Sequence, residues 1–105
     1  MVSTDINPAF VFGMFETGLG VSRSLGKNNI SVYGFDHKKD IGAYSKYVNF
    51  SLCPNPITEK DDFINSVINK AKLFKTKPVV FLTADDYLSV FSEYRKIFSE
   101  YLFFN

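Results

Sequence analysis

Short apolar runs alternate along this chain with segments whose apolar residues recur at helical spacing. Residues 9–13 are apolar, follow an Asn-Pro pair and predict a buried strand. A glycine-rich turn over residues 13–20 leads into a helix that we predict from about residue 18 to residue 27. Within this helix, Gly18 and Ser22 are small enough to let it approach a sheet closely. Two asparagines then end the helix, because Asn tolerates the left-handed cap conformation.

Two strands and a short helical turn are predicted in the middle of the chain. Residues 30–36 predict a second strand, and residues 41–46 predict the helical turn. Residues 47–52 alternate strictly between apolar and polar side chains, which is the period of a half-exposed strand at the edge of a sheet.

The next helix has the strongest local signals. Thr58 is its expected N-cap, and Asp61 follows three residues later in a capping-box arrangement. Acidic residues occupy the first turn and lysines the last turns, which suits the helix dipole. The apolar stripe of this helix consists of Ile64, Val67, Ile68 and Ala71.

The last third of the chain predicts a strand, a helix and a further strand. Residues 79–82 are apolar without alternation, so we expect a strand that is buried on both faces. Residues 83–86 lead into a final helix, which Thr83 or Asp85 can cap. Residues 102–105 predict the start of a fifth strand. The apolar stripe of the final helix consists of Tyr87, Phe91, Tyr94, Phe98 and Tyr101.

This order of elements predicts an α/β fold. The chain has 105 residues, which is the length of one domain, so residues 1–105 are expected to form a single unit. Strands that alternate with helices predict a Rossmann-like, three-layer domain. Its parallel sheet would have four to five strands in the order 3-2-1-4(-5).

Composition argues against several classes of function. The chain has 12 basic and 11 acidic side chains, and a net charge of +1 gives no reason to expect nucleic acid or an anionic membrane surface as a partner. The single cysteine, Cys53, and the single histidine, His37, form no disulfide and no zinc motif, and nothing in the sequence places them together as a catalytic pair. With no signal peptide and no membrane-spanning apolar stretch, a cytoplasmic location is expected.

The glycine-rich loop is the first candidate site. Ligands of open α/β sheets bind at the carboxyl ends of the strands, where a helix N-terminus offers backbone N–H groups to a phosphate or carboxylate. The glycine spacing matches neither G-x-G-x-x-G nor a Walker A loop. The alternative is a tight turn that needs glycine for its geometry and packing. The candidate ligand-binding residues of the loop are Gly13, Thr17, Gly18, Leu19 and Gly20.

Two further candidate segments follow the carboxyl ends of other predicted strands. In a dinucleotide-binding fold, an acid at the position of Asp36 would hold a ribose hydroxyl, and the alternative is a solvated turn residue. Thr83, Asp85 and Asp86 open at the same edge of the sheet, where they either contact a ligand or cap the following helix.

In their order along the chain, these segments resemble a known family. The similar segments are residues 10–13, 17–26, 30–36, 45–47, 77–81 and 83–87. Together they resemble the opening of ATP-grasp proteins of the carbamoyl-phosphate-synthase-like and D-aspartate-ligase-like kind. The resemblance implies the N-terminal, pre-ATP-grasp domain of an ATP-dependent carboxylate–amine ligase. In such enzymes two further domains clasp ATP and Mg²⁺, a carboxylate is activated as an acyl phosphate, and an amine attacks it.

The resemblance also implies which part of the reaction this chain would serve. Residues 13–20 and 83–86 would face the cleft and bind a small carboxylate or amine. The ATP-binding lysines and the Mg²⁺-binding acids would lie beyond residue 105, so we expect this chain alone to hold no catalytic residue, metal or cofactor. The expected partners are the C-terminal ATP-grasp domains of a longer parent chain.

Two other functions are compatible with the same pattern. A nucleotide- or dinucleotide-binding domain of an oxidoreductase would use the glycine-rich loop together with Asp36. A non-catalytic interaction module would use the aromatic last helix and the apolar tail as an interface, for instance in a homodimer.

Overall fold

The computed structural model describes residues 7–104 and contains a four-stranded, all-parallel sheet in the order β3-β2-β1-β4. The strands are β1 (Ala9–Phe12), β2 (Val32–Asp36), β3 (Val48–Leu52) and β4 (Val79–Leu82). The helices are α1 (Glu16–Lys27), α2 (Lys60–Ala71), α3 (Asp85–Glu93) and α4 (Arg95–Phe98), with a 3₁₀ turn at Ile41–Tyr44 between β2 and β3. The predicted α/β class, the parallel sheet and the strand order are confirmed.

Helices cover both faces of the sheet, which gives the predicted three layers. On one face, Val21 and Leu25 of α1 pack against a cluster that includes Val11 of β1 and Val32 of β2. As expected for close approach, Gly18 and Ser22 of α1 are buried. The other face carries the larger core, to which β1, β2, β4 and all three later helices contribute. Its buried residues include Phe10, Phe12, Phe35, Phe63, Val67, Val80, Tyr87, Phe91 and Phe98.

The final helix is shorter than predicted, and its aromatic stripe belongs to the core. The backbone leaves helical geometry at Tyr94 (φ −109°, ψ 29°), which separates α3 from α4. The Phe91 and Phe98 rings stack with centroids 4.2 Å apart, and the Phe104 ring packs edge-on against both. Leu102 is also buried. These side chains are therefore used within the domain, and the aromatic stripe expected to form an interface is largely enclosed.

The predicted fifth strand is reduced to one bridge. Phe103 lies parallel to Val79, donates its N–H to Pro78 O at 2.9 Å and accepts the Val80 N–H at 2.8 Å. Only Val80 of β4 is buried, although we expected a strand enclosed on both faces. The reason is position: α1 packs over β1 and β2 rather than β4, so Phe81 on that face is only half covered.

The N-cap prediction for α2 is wrong. An irregular turn precedes the helix, and Asn55 supplies its polar contacts instead of Thr58. Asn55 Oδ1 accepts the N–H of Ile57 at 2.9 Å and of Thr58 at 3.2 Å, while Glu59 Oε1 accepts the Asn55 N–H at 3.1 Å. The predicted apolar stripe of α2 is confirmed, with Ile68 partly covered and Ile64, Val67 and Ala71 buried.

The helix ends and lengths agree with two further expectations. Asn29 follows α1 in the left-handed conformation, with φ 63°, as predicted for the end of that helix. Among the helices of residues 7–104, none is long and apolar enough to cross a membrane.

A candidate ligand site at the carboxyl edge of the sheet

A cavity of about 430 Å³ opens where β1, β2 and β4 end. The segments that follow these three strands form its walls, together with the first turns of α1 and α3. The lining residues are Gly13, Met14, Phe15, Thr17, Gly18, Asp36, His37, Lys38, Asp40, Thr83, Ala84, Asp86 and Tyr87. This is the edge at which α/β sheets bind ligands.

Glycines fix the close packing of the two loops nearest the cavity. Gly13 has φ +100°, and a Cβ there would collide with the Thr83 side chain. A Cβ on Gly18 would collide with the backbone carbonyl of Gly13. Thr83 Oγ1 lies 2.8 Å from Phe12 O and 3.1 Å from Gly13 O, so its hydroxyl donates to the end of β1. The tight-turn interpretation of the glycine-rich loop therefore has a direct structural basis.

Asp36 is not a solvated turn residue but a buried carboxylate that accepts hydrogen bonds from three segments of the chain. It is 5 % exposed, and its Oδ2 accepts the Met14 N–H at 2.8 Å. Its Oδ1 accepts the His37 N–H and the Tyr87 hydroxyl, each at 2.8 Å. One carboxylate thus joins the loop after β1, the end of β2 and the first turn of α3. Sequence alone could not indicate this, because two of the three donors come from distant parts of the chain.

Cys53 and Tyr87 are buried together in the core next to Asp36. The Cys53 Sγ lies 3.9 Å from the Tyr87 hydroxyl oxygen. Burial, together with the nearby charge of Asp36, raises the pKa of the Cys53 thiol to about 11. Burial also raises the pKa of Tyr87 well above its ordinary value. Both groups remain protonated near neutral pH, and Cys53 packs within the larger hydrophobic core.

Two helices begin at the cavity without a side-chain cap. The N-cap residues are Phe15 for α1 and Ala84 for α3, and neither makes a capping hydrogen bond within the described part of the chain. The capping alternative for Thr83 and Asp85 does not hold: the Thr83 hydroxyl is engaged at the end of β1, and Asp85 already lies within α3. The first N–H groups of a helix have no partner inside the helix, so those of α1 and α3 rely on other acceptors.

The charged residues around the cavity have both signs. Asp36, Asp40 and Asp86 contribute acidic side chains, whereas Lys38 contributes a basic one. Lys38 Nζ lies 3.7 Å from Asp40 Oδ2, so these two charges partly balance each other. Glu16, whose charge would oppose an anion in the loop, is exposed and lies outside the lining.

Most of the site residues predicted from sequence come together here. Gly13, Thr17, Gly18, Asp36, Thr83 and Asp86 line the cavity. Leu19, Gly20 and Asp85 do not, and for the first two the reason is that α1 starts at Glu16, earlier than predicted, and carries them into its first turns. The lining residues that sequence reasoning missed are Met14, Phe15, His37, Lys38, Asp40, Ala84 and Tyr87. All but Lys38 and Asp40 lie inside or directly beside a predicted segment, which is the signal that identifies them.

Within residues 7–104, no group of three or more His, Cys, Asp or Glu side chains lies close enough together to hold a metal ion.

Comparisons with protein-family models, with curated proteins and with solved structures found no match to this chain. The resemblance to ATP-grasp proteins therefore rests on the sequence segments named above. The Rossmann-like α/β architecture is shown by the parallel sheet and its strand order.

Proposed function

We propose that this domain binds the carboxylate of a small molecule in the cavity at the carboxyl edge of its sheet. In this proposal it is the substrate-side, N-terminal domain of an ATP-dependent carboxylate–amine ligase. The observation that carries the binding role is the convergence of two uncapped helix N-termini, those of α1 and α3, on one cavity.

The position of the cavity in the sheet supports a binding role. In the order β3-β2-β1-β4, the chain moves from β1 outward to β2 and β3, then returns to the opposite side of β1 as β4. The helices that follow β1 and β4 therefore lie on opposite faces of the sheet, which leaves a crevice between them. Such a reversal of strand order is where open α/β sheets accept ligands.

The chemistry of the two helix starts favours an anion. Each offers backbone N–H groups and the positive end of a helix dipole, and each dipole contributes about 0.3–1 kcal/mol to a nearby negative charge. Ser, Thr, Asp or Asn at the N-cap would engage these N–H groups and contribute about 1 kcal/mol to stability. Phe15 and Ala84 supply no such oxygen, so no N-cap side chain competes with a ligand for these N–H groups.

The state of Asp36 favours this proposal over dinucleotide binding. A dinucleotide would need carboxylate oxygens at this position for its ribose hydroxyls. Both oxygens of Asp36 already accept hydrogen bonds from Met14, His37 and Tyr87. Three of the roughly four acceptor positions of this carboxylate are therefore taken, which leaves little of it for a ribose. A carboxylate ligand at the helix starts does not need Asp36.

The ligase part of the proposal comes from the sequence resemblance. In that family ATP and Mg²⁺ are held by domains other than the N-terminal one, so the residues described here would bind and orient a substrate. Reading the gene beyond codon 105 tests this part separately. A glycine-rich hairpin, an ATP-binding lysine and late acidic metal ligands would support it, and a stop codon directly after codon 105 would contradict it.

The binding role is tested by titrating the isotope-labelled chain with small carboxylic acids and their primary amides. We expect the carboxylates to shift the amide resonances of Thr17, Gly18 and Asp86, and the neutral amides to have little effect. NAD(H) and NADP(H) serve as the comparison ligands. A response to the dinucleotides but not to carboxylates would overturn the proposal, as would equal shifts with acids and amides.

A further inference from the structure

The outer edge of β3 is unpaired within the described residues, whereas the outer edge of β4 carries the Phe103 bridge. The Cys53 N–H donates to Asp36 O at 2.9 Å, toward β2. Backbone hydrogen-bonding direction alternates along a strand, so the N–H and C=O groups of Phe50 and Leu52 point away from β2. The Val48 N–H also points outward and donates to Ser45 O at 3.1 Å, which leaves the Val48 carbonyl free.

Within its five residues, β3 has no charged side chain or proline to block pairing at this edge. Edge strands are commonly blocked by lysine, by other charged residues, by proline or by a bulge. The sequence of β3, Val-Asn-Phe-Ser-Leu, contains no charged residue and no proline. Leu52 is 60 % exposed although it is a large apolar side chain. The strand therefore has both free backbone groups and apolar surface to offer a partner.

We propose that β3 pairs antiparallel with β3 of a second copy of this chain, across a twofold axis at Phe50. The N–H of each Phe50 then donates to the carbonyl of the other Phe50, and each Leu52 N–H donates to the Val48 carbonyl of the other copy. The two four-stranded sheets become one continuous sheet.

The side chains of β3 are self-complementary in this register. Val48 lies opposite Leu52 of the second copy on the face that α1 covers, and Asn49 lies opposite Ser51 on the other face. Side chains on each face thus meet others of their own kind, as cross-strand pairs require. This match within a single strand is why a second copy fits better than an unrelated strand.

Neighbouring registers of the antiparallel pair give less complementary cross-strand side-chain pairs. A shift that centres the pairing on Asn49 places Leu52 opposite Lys46, and one that centres it on Ser51 places Val48 opposite Pro54. A shift that pairs Phe50 with Asn49 or Ser51 mixes apolar and polar faces and misaligns the backbone donors. The register centred on Phe50 is therefore the one that pairs every residue of β3 with another residue of β3. The net charge of +1 presents little overall repulsion between two copies.

Sedimentation of the whole chain tests the dimer, with two matched lysine variants. Leu52→Lys places a charge on the pairing edge, whereas Leu73→Lys makes the same change beyond the end of α2, where Leu73 is 74 % exposed. We expect concentration-dependent dimers for the wild type and Leu73→Lys, and a dissociation constant raised at least about tenfold by Leu52→Lys. A wild type that stays monomeric up to about 1 mM would overturn the proposal. Equal weakening by both variants would also overturn it.

A disulfide tests the register. Asn49 and Ser51 of the two copies form a non-hydrogen-bonded pair, whose Cα atoms lie about 4.5 Å apart and suit a disulfide. We expect an oxidised mixture of the single variants Asn49→Cys and Ser51→Cys to form mostly mixed dimers, because each alone lacks its partner. Native Cys53 is buried and present in every sample, so it serves as the background. Mixed dimers no more abundant than like-with-like dimers would contradict this register.

Discussion

The Tyr87 hydroxyl donates a 2.8 Å hydrogen bond to the Asp36 carboxylate, which lies 51 residues earlier in the chain. Both side chains are buried, so water does not compete for this contact. The same carboxylate accepts the Met14 N–H, and so the start of α3 and the loop after β1 are held in one arrangement. The shape of the candidate site therefore depends on the hydrogen bonds that Asp36 accepts from Met14 and Tyr87.

Replacing Tyr87 by Phe tests the hydrogen bond between Tyr87 and Asp36. We expect a loss of about 1–3 kcal/mol in the free energy of unfolding, because a buried carboxylate loses its hydroxyl donor. Urea denaturation measures the loss. Tyr44→Phe is the matched control, since the Tyr44 side chain is 74 % exposed and should change stability little. Equal stability of Tyr87→Phe and wild type would mean that the hydrogen bond contributes nothing net.

Two glycines of α1 offer an internal comparison. Gly18→Ala should destabilise the fold by about 2 kcal/mol or more, because its Cβ meets the Gly13 carbonyl and the loop must move. Gly20→Ala should instead stabilise it by about 1 kcal/mol, because the added Cβ meets no atom outside its own stretch of α1 within 4 Å and Ala favours helix. Thermal unfolding of both variants gives the signs. The same sign for both would contradict the packing of α1 against the Gly13 loop.

The buried thiol predicts a pH dependence of stability. The pKa of Cys53 rises from 9.0 to about 11 on folding, so the folded state holds this proton more tightly. Its stabilising contribution is present below pH 9 and is lost as the pH rises toward 11, at no more than about 1.4 kcal/mol per pH unit. The buried Tyr87 hydroxyl acts in the same direction. Denaturant titrations between pH 8 and 11 should show a smaller fall for Cys53→Ala than for wild type, and an unchanged slope would speak against burial as the cause.

The start of α2 tests the cap that the sequence misassigned. Asn55→Ala should cost about 1 kcal/mol, because two backbone N–H groups lose the Asn55 Oδ1 acceptor. Thr58→Ala should cost little, since Thr58 is exposed and makes no capping contact among the described residues. Chemical denaturation of the pair measures the difference. If Thr58→Ala proved the more damaging, the original capping-box prediction would be the better one.

The sequence predicts those parts of the structure that local patterns determine. Apolar periodicity and the alternation of strands with helices are enough for the order β3-β2-β1-β4, and a strand that alternates strictly was correctly placed at the edge. Contacts between segments that are distant in the sequence cannot be predicted from local patterns. Asp36 was open to interpretation as a ribose ligand or a solvated turn residue because its donors Met14 and Tyr87 lie far along the chain. The partial exposure of β4 likewise depends on where α1 crosses the sheet.

The most direct test of the carboxylate site is the affinity of an Ala84→Asp variant. Its side chain should cap α3, stabilise the fold by about 1 kcal/mol and occupy the N–H groups that we assign to the ligand. Thr58→Asp adds the same charge near the start of α2, outside the cavity lining. We expect Ala84→Asp to raise the dissociation constant for a small carboxylate at least about tenfold while Thr58→Asp changes it less than about twofold. Unchanged carboxylate affinity in a stabilised Ala84→Asp variant would contradict the site.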